Sequence, residues 1–138
     1  MSRIKICGLR RPEDIAVVNE ARPDYCGFIV EYPKSRRSID RATLRELVRG
    51  LREEIVPVGV FVNAPKELVA ELLEEGTIQI AQLHGQESQE YIQELKVLTE
   101  KPLIQAFSIK SKEDVERARE SVADYILLDQ GSGGTGKV

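Results

Sequence analysis

The chain has 138 residues and a mass of 15.5 kDa, with 41% apolar and 31% charged residues. That is the make-up of one folded domain, residues 1–138, with a core of its own. Lys and Arg number 20 against 23 Asp and Glu, a net charge of −3, so no basic surplus points to nucleic acid, and no apolar run is long enough to cross a membrane. Two cysteines and one histidine can build neither a disulfide framework nor a four-ligand zinc site, so no metal is expected. The opening residues, charged at Arg3 and Lys5, do not read as a secretory signal, and the cytoplasm is the expected compartment.

Residues 4–7 form a short apolar strand closed by Gly8. Pro12 suits the first turn of a helix carrying Ile15, Val18 and Ala21. Residues 25–30 read as a second strand. Asp40 is placed to cap a helix whose Leu44, Leu47, Val48 and Leu51 fall on one face. Residues 55–62, rich in valine, predict a buried strand. Pro65 opens a helix with Leu68, Val69, Leu72 and Leu73 inward. Strand 78–83 follows, then helix 88–98 with Ile92 and Leu95, then strand 102–107. Ser111 with Asp114 resembles a capping box ahead of Val115, Ala118 and Val122. Residues 125–128 form the last strand, before Asp129 and a glycine-rich tail.

Six strands alternate with five helices, which predicts parallel strands joined by right-handed crossovers. Two α/β architectures satisfy the pattern, an open doubly wound sheet and part of a (β/α)8 barrel. Side chains alternate across a strand. Ile4 and Ile6 share one face of the first strand, Lys5 and Cys7 the other, and Ala81 and Leu83 oppose Gln82 and His84. One face is greasy and the other turns polar at the strand ends, where barrel enzymes keep their chemistry.

Several residues at those ends have both a plain and a chemical reading. Cys7 is a small core residue, or a nucleophile or base whose thiolate the ammonium of Lys5 favours. Cys26, mid-strand, reads as core. Asp129 is a turn residue, or a general acid kept protonated by burial. His84 is structural, or lines a pocket together with Gln82. The 34–37 run, Lys34-Ser35-Arg36-Arg37, is a solvated loop, or brings a guanidinium to clamp a carboxylate or phosphate. Residues 131–137 match G-x-x-x-x-G-K, yet Val138 stands where a phosphate-binding loop needs the hydroxyl that holds Mg²⁺. A glycine loop that closes over a ligand is the better reading of that segment.

In order, the chain carries Lys5-Ile6-Cys7-Gly8, Gly27-Phe28, Tyr32-Pro33-Lys34-Ser35-Arg36-Arg37, Val58-Gly59-Val60-Phe61-Val62-Asn63, Gln82-Leu83-His84-Gly85, Leu127-Leu128-Asp129 and Gly133-Gly134-Thr135-Gly136-Lys137. Taken together these motifs resemble the phosphoribosylanthranilate isomerases of tryptophan biosynthesis over essentially the whole chain. The resemblance implies a cofactor-free (β/α)8 barrel. It implies an Amadori rearrangement of N-(5-phosphoribosyl)anthranilate, an aminoaldose, into the corresponding aminoketose. By the same resemblance Cys7 is the general base at ribose C2 and Asp129 the general acid at the ring oxygen. Arg37 holds the anthranilate carboxylate, and Gln82, His84, Gly133 and Gly134 line the substrate.

That family's barrel has eight strands and about 200 residues, whereas about six β/α units are present here. The units missing from the pattern include the loops after strands seven and eight, a common phosphate grip. An open barrel leaves two strand edges and an apolar interior to be covered. The expected partner, beside the phosphosugar–anthranilate substrate, is therefore a second copy or a complementing C-terminal segment. Two alternatives to the isomerase stay open on the sequence. One is an inactive, associating barrel fragment. The other is a phosphate- or nucleotide-binding open α/β domain.

Overall fold

The computed structural model describes residues 3–84 and 86–129. The strands are β1 (Lys5–Cys7), β2 (Tyr25–Val30), β3 (Ser38–Ile39), β4 (Val56–Phe61), β5 (Ile80–Leu83), β6 (Leu103–Ser108) and β7 (Tyr125–Asp129). The helices are α1 (Pro12–Ala21), α2 (Arg41–Arg49), α3 (Lys66–Glu74), α4 (Gln89–Leu98) and α5 (Lys112–Arg119).

Every strand pairing among the described residues is parallel. The order β1-β2-β4-β5-β6-β7 follows the chain, with β3 attached beside β2. A doubly wound sheet reverses its direction at one point. This sheet never does, so right-handed crossovers put all the helices on one face. That decides between the two architectures in favour of a barrel-type sheet of about six β/α units.

The main core lies between the sheet and those helices. Cys26, Phe28, Phe61, Ala81, Leu83 and Leu103 are fully buried on the helix side, against Leu44, Leu72, Leu73, Ile92 and Leu95. Helix starts are set locally. Asp40 accepts from Thr43 N at 2.8 Å and Ser88 from Tyr91 N at 3.0 Å, bonds worth about 1 kcal/mol each for a typical cap.

Some expectations need correction. β3 breaks the strict alternation, because two residues are too short for any periodicity to show. It is held by Glu31 N donating to Ile39 O (2.8 Å) and Tyr32 N to Ser38 Oγ (2.7 Å). Ile4 stands outside β1 and is 60% exposed, so it does not share the packing of Ile6. Ala21, at the end of α1, is exposed as well. In α5, Ser111 makes no side-chain cap bond, and Asp114 accepts instead from Lys110 N at 2.8 Å. That helix also ends at Arg119, and Val122 N turns away to Gln89 Oε1 at 2.7 Å.

β7 is bare on both faces. Tyr125, Ile126, Leu127 and Leu128 are 62%, 45%, 43% and 55% exposed.

Candidate functional site

Because all strands run the same way, their C-terminal ends form one rim. Cys7, the loop after β2, His84 and Asp129 all sit there. The register Cys7↔Gly27, Gly27↔Val58, Val58↔Ile80 fixes which residues share the face away from the helices. Lys5, Cys7, Gly27 and Gln82 belong to it.

β1 supplies two side chains to this face. Both rest over Gly27, where an added Cβ would lie 2.7 Å from Cys7 Sγ and 3.2 Å from Lys5 Cε. Gly27 is thus the gap that admits them. Lys5 Nζ donates to Gln82 Oε1. Burial holds this ammonium below the usual lysine range, and the charge of Cys7 pulls the other way. Cys7 itself is exposed, whereas Cys26 is buried and its thiol is pushed up to about 12, chiefly by desolvation. The plain reading as a core residue therefore falls to Cys26.

Gly8 turns the chain out of β1 at φ +88°, donating to Gly27 O at 2.9 Å. Arg37 lies over that turn. A Cβ on Gly8 would meet its Cδ at 2.7 Å and its Nη1 at 2.9 Å. The guanidinium of the loop after β2 is thereby brought over the turn that directly follows Cys7. Among the described residues neither Arg37 nor Lys5 pairs with a carboxylate.

Gln82 and His84 have different immediate surroundings. Gln82 is 4% exposed and engaged with Lys5. His84 follows the end of β5, its N–H donating to Phe61 O at 2.8 Å. It lines a polar cavity of about 610 Å³ with Ser88, Gln105, Asp114 and Arg117. None of Cys7, Arg37 or Gln82 lines that cavity. Asp129 ends β7, its backbone in register with Ser108. Gly133, Gly134 and the rest of the glycine-rich tail lie outside the described residues.

One arrangement gives no signal in the sequence. Glu87, 6% exposed, accepts from Asn63 N at 2.7 Å, while Asn63 Oδ1 accepts from Gln86 N at 2.9 Å. Asn63 takes a left-handed conformation, φ +51°, to do so, a region asparagine tolerates better than most residues. The two rim loops after β4 and β5 are tied by this exchange. Only the polar residues at the ends of two apolar runs could have hinted at it. Among the described residues no three of His, Cys, Asp or Glu gather as metal ligands, and no helix is long and apolar enough to cross a membrane.

Comparison with known proteins agrees with this geometry. Residues 4–138 match the sequence model of N-(5'phosphoribosyl)anthranilate (PRA) isomerase. The N-(5'-phosphoribosyl)anthranilate isomerase of Caldanaerobacter subterraneus is 42% identical over 99% of this chain, and that of Acetivibrio thermocellus 43% over all of it. This chain spans 67% of each of those relatives. Among solved structures, phosphoribosyl anthranilate isomerase from Thermus thermophilus superposes with a TM-score of 0.81 at 37% identity, covering 99% of this chain and 66% of that one. The Thermotoga maritima enzyme gives 0.80 at 35%, covering 94% and 62%. A phosphoribosyl anthranilate isomerase in complex with reduced 1-(o-carboxyphenylamino)-1-deoxyribulose 5-phosphate gives 0.80 at 35%, covering 94% and 65%. With the family model spanning nearly the whole chain and these relatives sharing its sequence and its sheet, the chain belongs to the N-(5'-phosphoribosyl)anthranilate isomerases, an enzyme family of tryptophan biosynthesis.

Proposed function

We propose that this chain carries the residues that rearrange N-(5-phosphoribosyl)anthranilate to 1-(2-carboxyphenylamino)-1-deoxyribulose 5-phosphate. Cys7 is the general base and Asp129 the general acid. The carrying observation is the position of Cys7: an exposed thiol at the rim, beside Lys5 and the Arg37 guanidinium.

The chemistry asks for these groups. Opening the ribose ring leaves an alkoxide unless a proton arrives, and the Asp129 carboxylic acid supplies it. The open form is a Schiff base, which acidifies C2–H, so Cys7 can remove that proton. The enaminol then gains a proton at C1 while its C2 hydroxyl loses one, and the C2=O of the ketose forms. Arg37 holds the anthranilate carboxylate, a pairing suited to a fork of N–H donors. Gln82 fixes Lys5 behind Cys7, His84 lies at the rim, and Gly133 and Gly134 are assigned to substrate binding by the family resemblance alone. No cofactor takes part, and a biosynthetic role of this kind belongs in the cytoplasm.

A second reading rests on the bare β7 and on β1, which pairs on one side alone among the described residues. In it the chain completes its site only with a second copy or a separate C-terminal segment. The phosphoribosylanthranilate isomerase of Thermotoga maritima is dimeric, and its structure has been solved for monomers generated from that dimer.

The test follows the fluorescence of phosphoribosylanthranilate generated in situ, with the 138-residue chain as catalyst. Turnover that vanishes in Cys7→Ala and Asp129→Asn supports the assignment. Retention of about a tenth of kcat in Cys7→Ala contradicts it, since loss of an essential base costs more than that. Turnover that rises steeply with protein concentration favours the second reading.

A further inference from the structure

Lys5 is an unusual lysine for this chain. It lies on the inner face, half buried, with its ammonium on the neutral amide of Gln82. Lys34, Lys96, Lys110 and Lys112 are exposed, while Lys66 and Lys101 are also half buried, Lys66 being paired with Glu94. An ammonium taken from water without a carboxylate partner loses part of its solvation and gains little in return. That holds Lys5 below the usual lysine range and leaves more of it as free amine. Gly27, having no side chain, lets the Lys5 stem pack close over its backbone, and the neighbouring Cys7 is open to solvent. Arg37 adds a second cation at the same rim, without a carboxylate partner among the described residues.

We propose that Lys5 is a carbonyl-capture site, whose Nζ condenses with small aldehydes bearing a phosphate while Arg37 holds the anion. The class includes open-chain aldose phosphates. The amine lone pair adds to the carbonyl carbon as the C=O π bond breaks, giving a carbinolamine. A proton from nitrogen reaches the hydroxyl, water leaves, and a C=N bond forms. The step is reversible, needs no oxidant or reductant, and does not depend on Cys7 acting as a base. Gln82 holds the amine against the inner wall, so the aldehyde enters from the rim.

Pyridoxal 5'-phosphate is the probe. The full 138-residue chain is incubated with it, the imine is fixed with borohydride, which delivers hydride to the imine carbon, and the adduct is mapped by peptide mass spectrometry. Lys5 should carry several-fold more adduct than any exposed lysine, because burial beside a neutral amide keeps a larger share of it as free amine. Glyceraldehyde 3-phosphate, added first, should protect Lys5. Lys5→Arg, checked for folding by circular dichroism, should remove the preferred adduct. Arg37→Ala should erase the preference for pyridoxal 5'-phosphate over unphosphorylated pyridoxal. Labelling spread over Lys34, Lys96, Lys110 and Lys112 with Lys5 unmodified in the wild-type chain would overturn the proposal. An unchanged phosphate preference in Arg37→Ala would overturn the part given to Arg37.

Discussion

Lys5 and Gln82 stand 77 positions apart in the chain and meet on the inner face of the sheet, where the lysine ammonium donates to the glutamine amide oxygen. The bond reaches from the first strand past two neighbours to a fourth, β1 to β5 in the order β1-β2-β4-β5. It therefore reports the curl of the sheet. Gln82→Leu would leave the ammonium without its acceptor in a half-buried place. Hydrogen bonds to charged groups are worth about 1.5–3 kcal/mol, so urea denaturation should show a loss of that order. A variant as stable as the wild type would mean that water satisfies Lys5 and the strut is unimportant.

Gly27→Ala tests the other half of the arrangement. The added methyl would lie 2.7 Å from Cys7 Sγ, and a methyl on Gly8 would lie 2.7 Å from Arg37 Cδ. At Gly27 the conflict is with side chains alone, and overpacking of this kind costs about 1–3 kcal/mol. Gly8→Ala adds backbone strain, because its φ of +88° disfavours any side chain. Both variants should lower the thermal midpoint, and Gly27→Ala should also change the rate at which Cys7 is alkylated. An unaltered alkylation rate would show that Cys7 does not rest on Gly27.

Much of this was legible in the sequence for a physical reason. The helices bury one face each, so Leu44, Leu47, Ile92 and Leu95 recur at helical spacing and are buried. Strand alternation put Lys5 and Cys7 opposite Ile6, and the structure places Lys5 against Gln82 accordingly. The barrel was the architecture that the polar strand ends favoured and the family resemblance implied, although element order alone fits a doubly wound sheet too, the two differing in which strands become neighbours. β3 was hidden by its length. The Asn63–Glu87 exchange was hidden because it depends on two loops meeting 24 positions apart. The different surroundings of His84 and Gln82 were hidden too. Alternation holds only within a strand, and β5 stops at Leu83.

The two thiols should differ sharply. Cys7 is exposed, whereas Cys26 is 0% exposed and its thiol is pushed up to about 12 by burial. The thiolate is the reactive form, so Cys26 is both inaccessible and protonated. A disulfide reagent such as dithionitrobenzoate should modify one thiol in the native chain and two in denaturant. Cys7→Ser should abolish the native reaction. Two fast-reacting thiols in the native chain would contradict the packing of β2 against the helices.

Acid should weaken the fold through a small group of carboxylates. Asp14 is held below the usual range first by the N–H of Arg10, Glu75 by the Arg45 guanidinium, and Asp114 by the N–H of Lys110 and then Arg117. Each binds its proton less readily folded than unfolded. Their stabilisation is therefore complete above the unfolded carboxylate range and is lost as pH falls through the lower, folded values. The urea midpoint should stay level from neutrality to about pH 5 and decline below about pH 4. The decline should be shallow, since Asp14 and Glu75 stay partly open to water and salt, which screen them. Arg45→Met removes the main cause at Glu75, so its acid limb should be less steep than that of the wild type. A midpoint that rises on acidification, or an Arg45→Met limb steeper than the wild type, would show that other groups control the acid response.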